Sequence, residues 1–418
     1  MSHIAAEEFA SILRRVPALE DARVLAVACS GGPDSMALTL LLHAWAQTHG
    51  RQVVALTVDH GLRAVSAQEA LQVQQWLHDR GIAHEILPWL GEKPRTRIQE
   101  TAREMRYHLL ATWCQEHRVP VLLTAHHAQD QAETFLMRLA KGSGLRGLCA
   151  MRALVERLPV KLVRPLLTIS PQRLHLTLKQ FQQPFIEDVS NANHDFERVR
   201  WRHTWAALTQ HGLTLDAVLT TIGRLTESQN LIDGQLAQMV TQFLTKSPYG
   251  YLIVDWQGAQ VLPAEAIELL LTHTLWLFSN KGWQSKYQAV KALCSDIRKG
   301  QRRIFTLGGA IIQVKGPQLL IFREVRAAPP PQVLGEGAHT LWWDRRFLLD
   351  IEVPQGETIT LKPLGTQARS KEIIPTRALL AMPSFWREDN LFFSPTTIDD
   401  TINENGWLIS VRSHWRKL

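Results

Sequence analysis

From residue 1 to about 212, short β-branched runs alternate with stretches whose apolar residues recur at helical spacing. That alternation is the pattern of a parallel α/β sheet. Val24–Cys29, Val53–Val58, His84–Leu87 and Val121–Thr124 read as strands. Helix starts lie between and after them. Ser66-x-x-Glu69 and Thr96-x-x-Gln99 have the form of capping boxes, and Ser170-Pro171 offers an N-cap followed by proline at the first helical position. In open parallel sheets, ligands sit at the carboxyl ends of strands, so the polar turns after the second and fourth strands are candidate site segments.

Beyond Leu213 the pattern changes. Helical stretches rich in Leu, Ala and Gln run to about Arg298, broken by Pro248-Tyr249-Gly250 and a short strand at Tyr251–Asp255. Short β-like runs follow at Ile304–Leu307, Ile311–Val314 and Leu319–Phe322. Ala327-Ala328-Pro329-Pro330-Pro331 reads as stiff linker. The expected organisation is therefore an α/β parallel-sheet domain (1–212), a mainly helical domain (213–326), a Pro-rich linker (327–336) and a small β-rich C-terminal domain (337–418).

Composition narrows the class. With 45% apolar and 20% charged residues among 418, the chain reads as a globular protein of more than one domain. A net charge of +7 suits a polyanionic partner without requiring one. Cys29, Cys114, Cys149 and Cys294 are far apart with no C-x-x-C pair, which argues against zinc, an iron–sulfur cluster or a disulfide framework. The longest apolar run near the start, Val24–Cys29, is strand-length, and no basic segment precedes it. These features predict a cytoplasmic protein that neither enters a membrane nor carries a bound redox cofactor.

The strongest chemical signal follows the first strand. In Ser30-Gly31-Gly32-Pro33-Asp34-Ser35 the glycines permit a sharp turn and close backbone approach, and the following helix presents free N–H groups to an anion. Asp34 would repel phosphate unless a cation lies between them, so it is a candidate magnesium ligand. A plain strand-to-helix turn favours the same residues, and spacing alone leaves both readings open.

The stretch Ser-Gly-Gly-x-Asp-Ser resembles the PP-loop of the N-type ATP pyrophosphatases, which implies cleavage of ATP between its α- and β-phosphates. Further motifs narrow the resemblance: Thr57-Val58-Asp59-His60-Gly61-Leu62-Arg63, Arg103-Glu104-Met105-Arg106-Tyr107, and Thr124-Ala125-His126-His127-Ala128-Gln129-Asp130-Gln131-Ala132-Glu133-Thr134. Lys141-Gly142-Ser143-Gly144, Arg164-Pro165-Leu166-Leu167 and Arg198-Val199-Arg200-Trp201-Arg202 complete the set, with weaker matches at Trp343-Asp344 and Lys362-Pro363-Leu364-Gly365. Together they resemble the tRNA(Ile)-lysidine synthetase family. Val189, Asn193, Val199, Trp201 and Gln129 depart from its usual pattern.

The resemblance implies adenylation of C2 of the wobble cytidine in a CAU-anticodon isoleucine tRNA, then attack by the L-lysine side chain. It places ATP, with Mg2+ as counter-ion, on Ser30, Gly31, Gly32, Pro33, Asp34 and Ser35, with Asp59, His126, Gly142 and Gly144 nearby. Lysine falls to Asp130, Glu133 and Arg202, and catalytic work to Asp34, His60, Arg106, Asp130 and Glu133. Asp130 and Glu133, three apart, share a helix face that suits an ammonium group, although acids also favour a first helical turn. His60 is a candidate base for lysine, with nothing in sequence to fix that role. Adjacent His126 and His127 at a strand end point to opposite sides, so one of them faces the ligand. Arg198, Arg200, Lys299, Arg302 and Arg303 are candidate tRNA contacts.

Three alternatives share parts of this pattern. A tRNA thiolase would need reactive or cluster-binding cysteines. A small-molecule amidating ligase would not need the basic tail. A tRNA-binding protein without catalysis would not need the intact loop. Homodimerisation stays open.

Overall fold

The computed structural model describes residues 2–20, 22–61, 65–91, 93, 96, 98–157, 160–187, 197–278, 287–300, 302–344, 346–367, 374–395, 400–404 and 407–413. The chain divides into two units, Met1–Asn230 and Leu231–Leu418.

In the first unit, α1 (Ala6–Arg14) precedes β1 (Val24–Ala28), α2 (Pro33–Thr48), β2 (Gln52–Asp59), α3 (Ser66–His78), β3 (Ala83–Pro88) and α4 (Ile98–Glu116). There follow β4 (Val121–Leu123), α5 (Ala128–Ala140), α6 (Leu145–Leu148), β5 (Leu154–Arg157), β6 (Val160–Val163), α7 (Pro171–Gln180) and α8 (Glu197–Gln210). The sheet order is β3-β2-β1-β4-β6-β5, parallel throughout except for β5 against β6.

Period-two alternation distributes the strand residues to two layers. Leu25, Val27, Val53, Ala55, Val121 and Leu123 join one core with Met36, Leu40 and Leu174. Ala26, Leu56, Leu122 and Leu162 join the other with Leu110 and Trp113. Covered faces on both sides explain why β1 is a continuous apolar run. Helix α2 is buried almost all round, because α1 and α7 close over its outer side.

The four expected strands are present, each to within two residues at either end. The β5–β6 hairpin was not expected: its strands are four residues each and carry Glu156, Arg157 and Lys161, which hide the apolar alternation. Ser170 takes the N-cap position with Pro171 first in the helix, as expected. At α3 the flanking position falls to Val65, while Ser66 is the first helical residue and its hydroxyl donates to Asp59 Oδ1 at 2.7 Å. The side chain of Gln99 lies outside the described residues.

The second unit begins within α9 (Leu215–Phe243). Sequence placed the boundary at 212/213, but Val218 and Ile222 pack against Ala132 and Ala150, which keeps the start of α9 with the first unit. In the second unit β7 (Leu244–Lys246), β8 (Leu252–Asp255), β9 (Ile304–Leu307), β10 (Ala310–Lys315) and β11 (Gln318–Arg323) form an antiparallel sheet in the order β7-β8-β11-β10-β9. Helices α10 (Ala264–Trp276) and α11 (Tyr287–Lys299) pack on it through Ile267, Leu271, Val290 and Leu293.

Downstream, β12 (Gln332–Leu334), β13 (Gly337–Trp343), β14 (Phe347–Val353), β15 (Ile359–Pro363), α12 (Thr376–Leu379), β16 (Pro383–Arg387), β17 (Asn390–Phe393), β18 (Asp400–Glu404) and β19 (Trp407–Ser413) build two four-stranded sheets. Residues 332–334 of the expected linker form β12, which pairs with β15. The two expected tail domains also share buried contacts. Asp344 Oδ2 lies 2.9 Å from Arg323 Nε and 3.0 Å from Arg346 Nη2, with all three side chains 1–2% exposed. Arg346 further donates to the carbonyls of Gly250 and Ala381, at 2.7 and 3.0 Å.

Candidate active site

Strand order reverses at β1, whose neighbours are β2 and β4, and the crevice at their carboxyl ends holds the candidate residues. After β1 the chain turns through Ser30 and Gly31 into Gly32, the N-cap of α2, with Pro33 at the first helical position. Gly31 has φ +83°, and a Cβ there would stand 2.6 Å from Val73 Cγ2 and 2.9 Å from Ile186 Cδ1. Only glycine fits a backbone so turned and so crowded. Ile186 N–H donates to Gly31 O at 2.9 Å, tying residues after α7 to the loop.

Ser35 is buried and holds the loop from inside. Its Oγ accepts from Ser30 N–H at 3.1 Å and donates to Gly32 O at 3.0 Å. The Ser35 proton is thus engaged within the loop, while Ser30 remains exposed.

The second wall comes from β4 and α5. His127 is the N-cap of α5: Asp130 Oδ2 accepts from His127 N–H at 3.1 Å, and the imidazole Nδ1 lies 3.4 Å from Asp130 N and 3.6 Å from Asp130 Oδ2, accepting from the first when neutral and donating to the second when protonated. On its other side, His127 Nε2 lies 3.4 Å from Asp34 Oδ2. Asp34, His127 and Asp130 therefore form a line linking the phosphate loop to α5. Burial opposes charge on His127, but its hydrogen bond to Asp34 and the charges of Asp130, Asp34 and Glu133 outweigh that and raise its pKa above the ordinary 6.5. Asp34 Oδ1 is buried and has no hydrogen-bond partner among the described residues. A carboxylate oxygen in that state, at the N-terminus of α2, suits a hard cation. Among the described residues no group of three or more His, Cys, Asp or Glu could hold a metal by itself.

Of the adjacent histidines, His127 makes this bridge; His126 Nδ1 is 3.0 Å from Thr124 Oγ1, half-buried at the strand end. Sequence reasoning placed His126 near the nucleotide and gave His127, the other of the adjacent pair, no role of its own. The available signal was its place three residues before Asp130, where an N-cap belongs.

The expected lysine-binding residues are brought together. Glu133 is fully buried, and Arg202 of α8 donates from Nε to Glu133 Oε1 at 2.8 Å. Burial works against the Arg202 charge, yet the carboxylates of Glu133, Asp130 and Asp34 raise its pKa on balance. In this structure Asp130 also caps a helix and Glu133 anchors Arg202, so both have structural work besides any ligand.

At the ends of β2 and β3 lies a second polar group. Asp59 Oδ1 accepts from Gly61 N–H at 2.9 Å and from Ser66, closing the turn. Arg106 Nε donates to His60 Nε2 at 3.3 Å, and His60 meets Trp89 edge-on at 6.1 Å. Lys93 Nζ sits 4.3 Å from the Trp89 ring centre. Burial, then Arg106, pull the His60 pKa down to about 4, with Lys93 adding to them and Asp59 opposing. His60 is thus neutral at pH 7 and a weak base, its Nε2 engaged by Arg106. Arg63 lies outside the described residues.

The remaining expected residues are dispersed. Gly142, φ +67°, ends α5, with Ser143 N–H donating to Arg138 O at 3.0 Å, and Gly144 caps α6. Those are helix-stop and helix-start positions. Arg200 is exposed, and the side chain of Arg198 lies outside the described residues. In the second unit, Lys299 is 3.7 Å from Asp296, and Arg302 and Arg303 are exposed. All four cysteines are buried; burial raises the thiol pKa of Cys29, of Cys114 to about 12 and of Cys294 to about 11.

Residues 1–208 match the model of a PP-loop domain family. Over 416 residues the chain is 32% identical to the tRNA(Ile)-lysidine synthase of Ruegeria pomeroyi, covering 98% of this chain and 96% of that protein. It is 34% identical to the protein of the same name from Anaplasma marginale, over 81% of this chain and 73% of the relative. A Bradyrhizobium tRNA(Ile)-lysidine synthase is 42% identical over 51% of this chain and 60% of its own length.

Proposed function

This chain belongs to the tRNA(Ile)-lysidine synthase family, and from that premise we propose that it ligates L-lysine to C2 of the wobble cytidine in a CAU-anticodon isoleucine tRNA. The observation that carries the reading onto this chain is the line Asp34–His127–Asp130. It joins the phosphate loop to the helix that bears the acidic residues expected to meet lysine.

The reaction has two steps. In the first, the C2 oxygen of cytidine attacks the α-phosphorus of magnesium–ATP, and pyrophosphate leaves. The loop around Gly31 and Gly32 offers backbone N–H groups to the phosphates. Asp34 Oδ1 takes the substrate's magnesium, while His127 holds Oδ2. In the second, the neutral lysine amine attacks C2, and AMP leaves with the former C2 oxygen. Asp130 and Glu133 receive the lysine ammonium, which sheds two protons in becoming the C2 substituent, and Arg202 faces its carboxylate. Arg106 supports the transferring phosphate beside a neutral His60. The basic residues Lys299, Arg302 and Arg303 grip the tRNA backbone, and the enzyme works in the cytoplasm. No helix among the described residues is long and apolar enough to cross a membrane. The thiolase alternative is disfavoured because all four cysteines are buried, and burial pushes the thiols of Cys29, Cys114 and Cys294 up rather than down.

The test supplies the CAU-anticodon transcript with and without lysine. Pyrophosphate release should require the transcript, and AMP release with lysine incorporation should require both. Release with no transcript, or on a GAU transcript equally well, would overturn the reading.

A further inference from the structure

Between α10 and α11 of the second unit lies a cleft of about 400 Å³, whose lining includes Glu268, Lys291, Ser295, Arg298 and Lys299. That volume is in the range of small-ligand and nucleotide sites. Glu268 is 4% exposed, and its Oε2 is buried with no hydrogen-bond partner among the described residues. An ionised carboxylate only accepts hydrogen bonds, so a dry, unmatched oxygen is costly unless a donor arrives from outside the chain. The exposed phenol of Tyr287, first residue of α11, hydrogen-bonds the same carboxylate.

Among the described residues, three cations on the rim, Lys291, Arg298 and Lys299, outnumber one exposed acid, Glu265. Lys291, Arg298 and Lys299 are exposed on α11 at helical spacings of seven and eight, hence along one face. A preference for cations at a helix C-terminus accounts for Arg298 and Lys299. It does not account for Lys291 in the first half of the helix, nor for the unmatched oxygen of Glu268 behind it.

We infer that this cleft binds one unpaired guanosine nucleotide of an RNA chain, with the guanine edge on Glu268 and the flanking phosphates on Lys291, Arg298 and Lys299. Among the four bases guanine presents two adjacent donors, N1–H and the exocyclic amine, to a carboxylate. Adenine and cytosine each set an acceptor beside their amino group, and uracil flanks its single N–H with two carbonyls. Those acceptors would face the carboxylate and repel it. The inference rests on RNA being the substrate, yet it concerns a place apart from the PP-loop, and its test uses neither ATP nor lysine.

The probe is a fluorescein-labelled single-stranded heptamer of uridines with one central guanosine, containing no cytidine for the reaction centre. Its affinity for the full chain is compared with that of the same strand carrying inosine, which lacks the exocyclic amine. Guanosine should bind roughly tenfold more tightly, the scale of one well-placed base contact. Glu268→Gln should erase the preference, whereas Lys291→Ala and Arg298→Ala should weaken both strands alike and flatten the salt dependence. Equal binding of guanosine and inosine strands to the unaltered protein overturns the inference, and that comparison needs no variant to fold. So does competition by free GMP at the concentration of the heptamer, which would mark a site for a free nucleotide. A chain that ligates no lysine but still prefers guanosine would refute the proposed function and leave this site standing.

Discussion

Replacing His127 by glutamine keeps a side chain of similar reach while removing the positive charge that the imidazole carries between Asp34 and Asp130. The folded pKa of His127 lies above the ordinary 6.5, so the folded state holds the proton more tightly than the unfolded chain. The charged pairing is therefore fully present below about pH 6.5 and is lost as pH rises through the folded value. A hydrogen bond between charged groups is worth about 1.5–3 kcal/mol. Asp34 is 31% exposed, which screens the pair and lowers the expectation to about 1–2 kcal/mol. Urea unfolding of the full chain measures this on the transition that a non-hydrolysable ATP analogue shifts, which identifies the first unit. The deficit of His127→Gln should be largest at pH 5.5 and shrink as the pH rises through the folded pKa, because a neutral imidazole and an amide both donate one hydrogen bond. Pyrophosphate release should fall roughly 10–100-fold, as when a group that orients a ligand-binding side chain is removed. A deficit that is equal or larger at pH 9 would refute the argument, because the stabilisation would then not come from the charged form.

Three further substitutions probe other parts of the reasoning. Gly31→Ala forces a Cβ to within 2.6 Å of Val73 at φ +83°, so it should cost about 1–3 kcal/mol and abolish ATP binding; an unchanged ATP affinity by calorimetry would contradict that. Asp130→Ala removes half of the α5 capping box, for a loss of about 1 kcal/mol, and should still form adenylated tRNA while transferring lysine poorly. Acid-quench trapping reads the intermediate, and equal loss of both steps would assign Asp130 to the nucleotide. Asp344→Ala leaves Arg323 and Arg346 buried without their counter-ion, so the second unit should lose about 3–5 kcal/mol in urea while ATP binding to the first is untouched.

What could be read from sequence follows a physical division. The loop was legible because its chemistry is local: a strand, two glycines and a helix start are contiguous, and so is the position of Asp34 at the head of α2. The parallel α/β sheet was legible because short apolar runs alternate with helical patterns, and strands covered on both faces, such as β1, are apolar at every position. The partner of Asp34 was not. Choosing His127 over His126 depends on which way a strand end leaves the sheet, and a pair of adjacent histidines has no periodicity to show it. Glu133 and Arg202 were each expected to meet lysine, yet their mutual ion pair joins α5 to α8 across a distance that no spacing rule covers. The joints of the tail were hidden for a similar reason. Prolines at 329–331 predict a stiff spacer, and they are followed at once by an edge strand that depends on a distant partner, β15. Asp344 marks the general case. Its sequence context suggested no more than a motif residue with Arg346 two positions on, and the fold brings Arg323 to it from the other side of that spacer. A buried charge is stable only when its partners are in place, so its meaning lies in residues far along the chain, and the tertiary structure has to supply them.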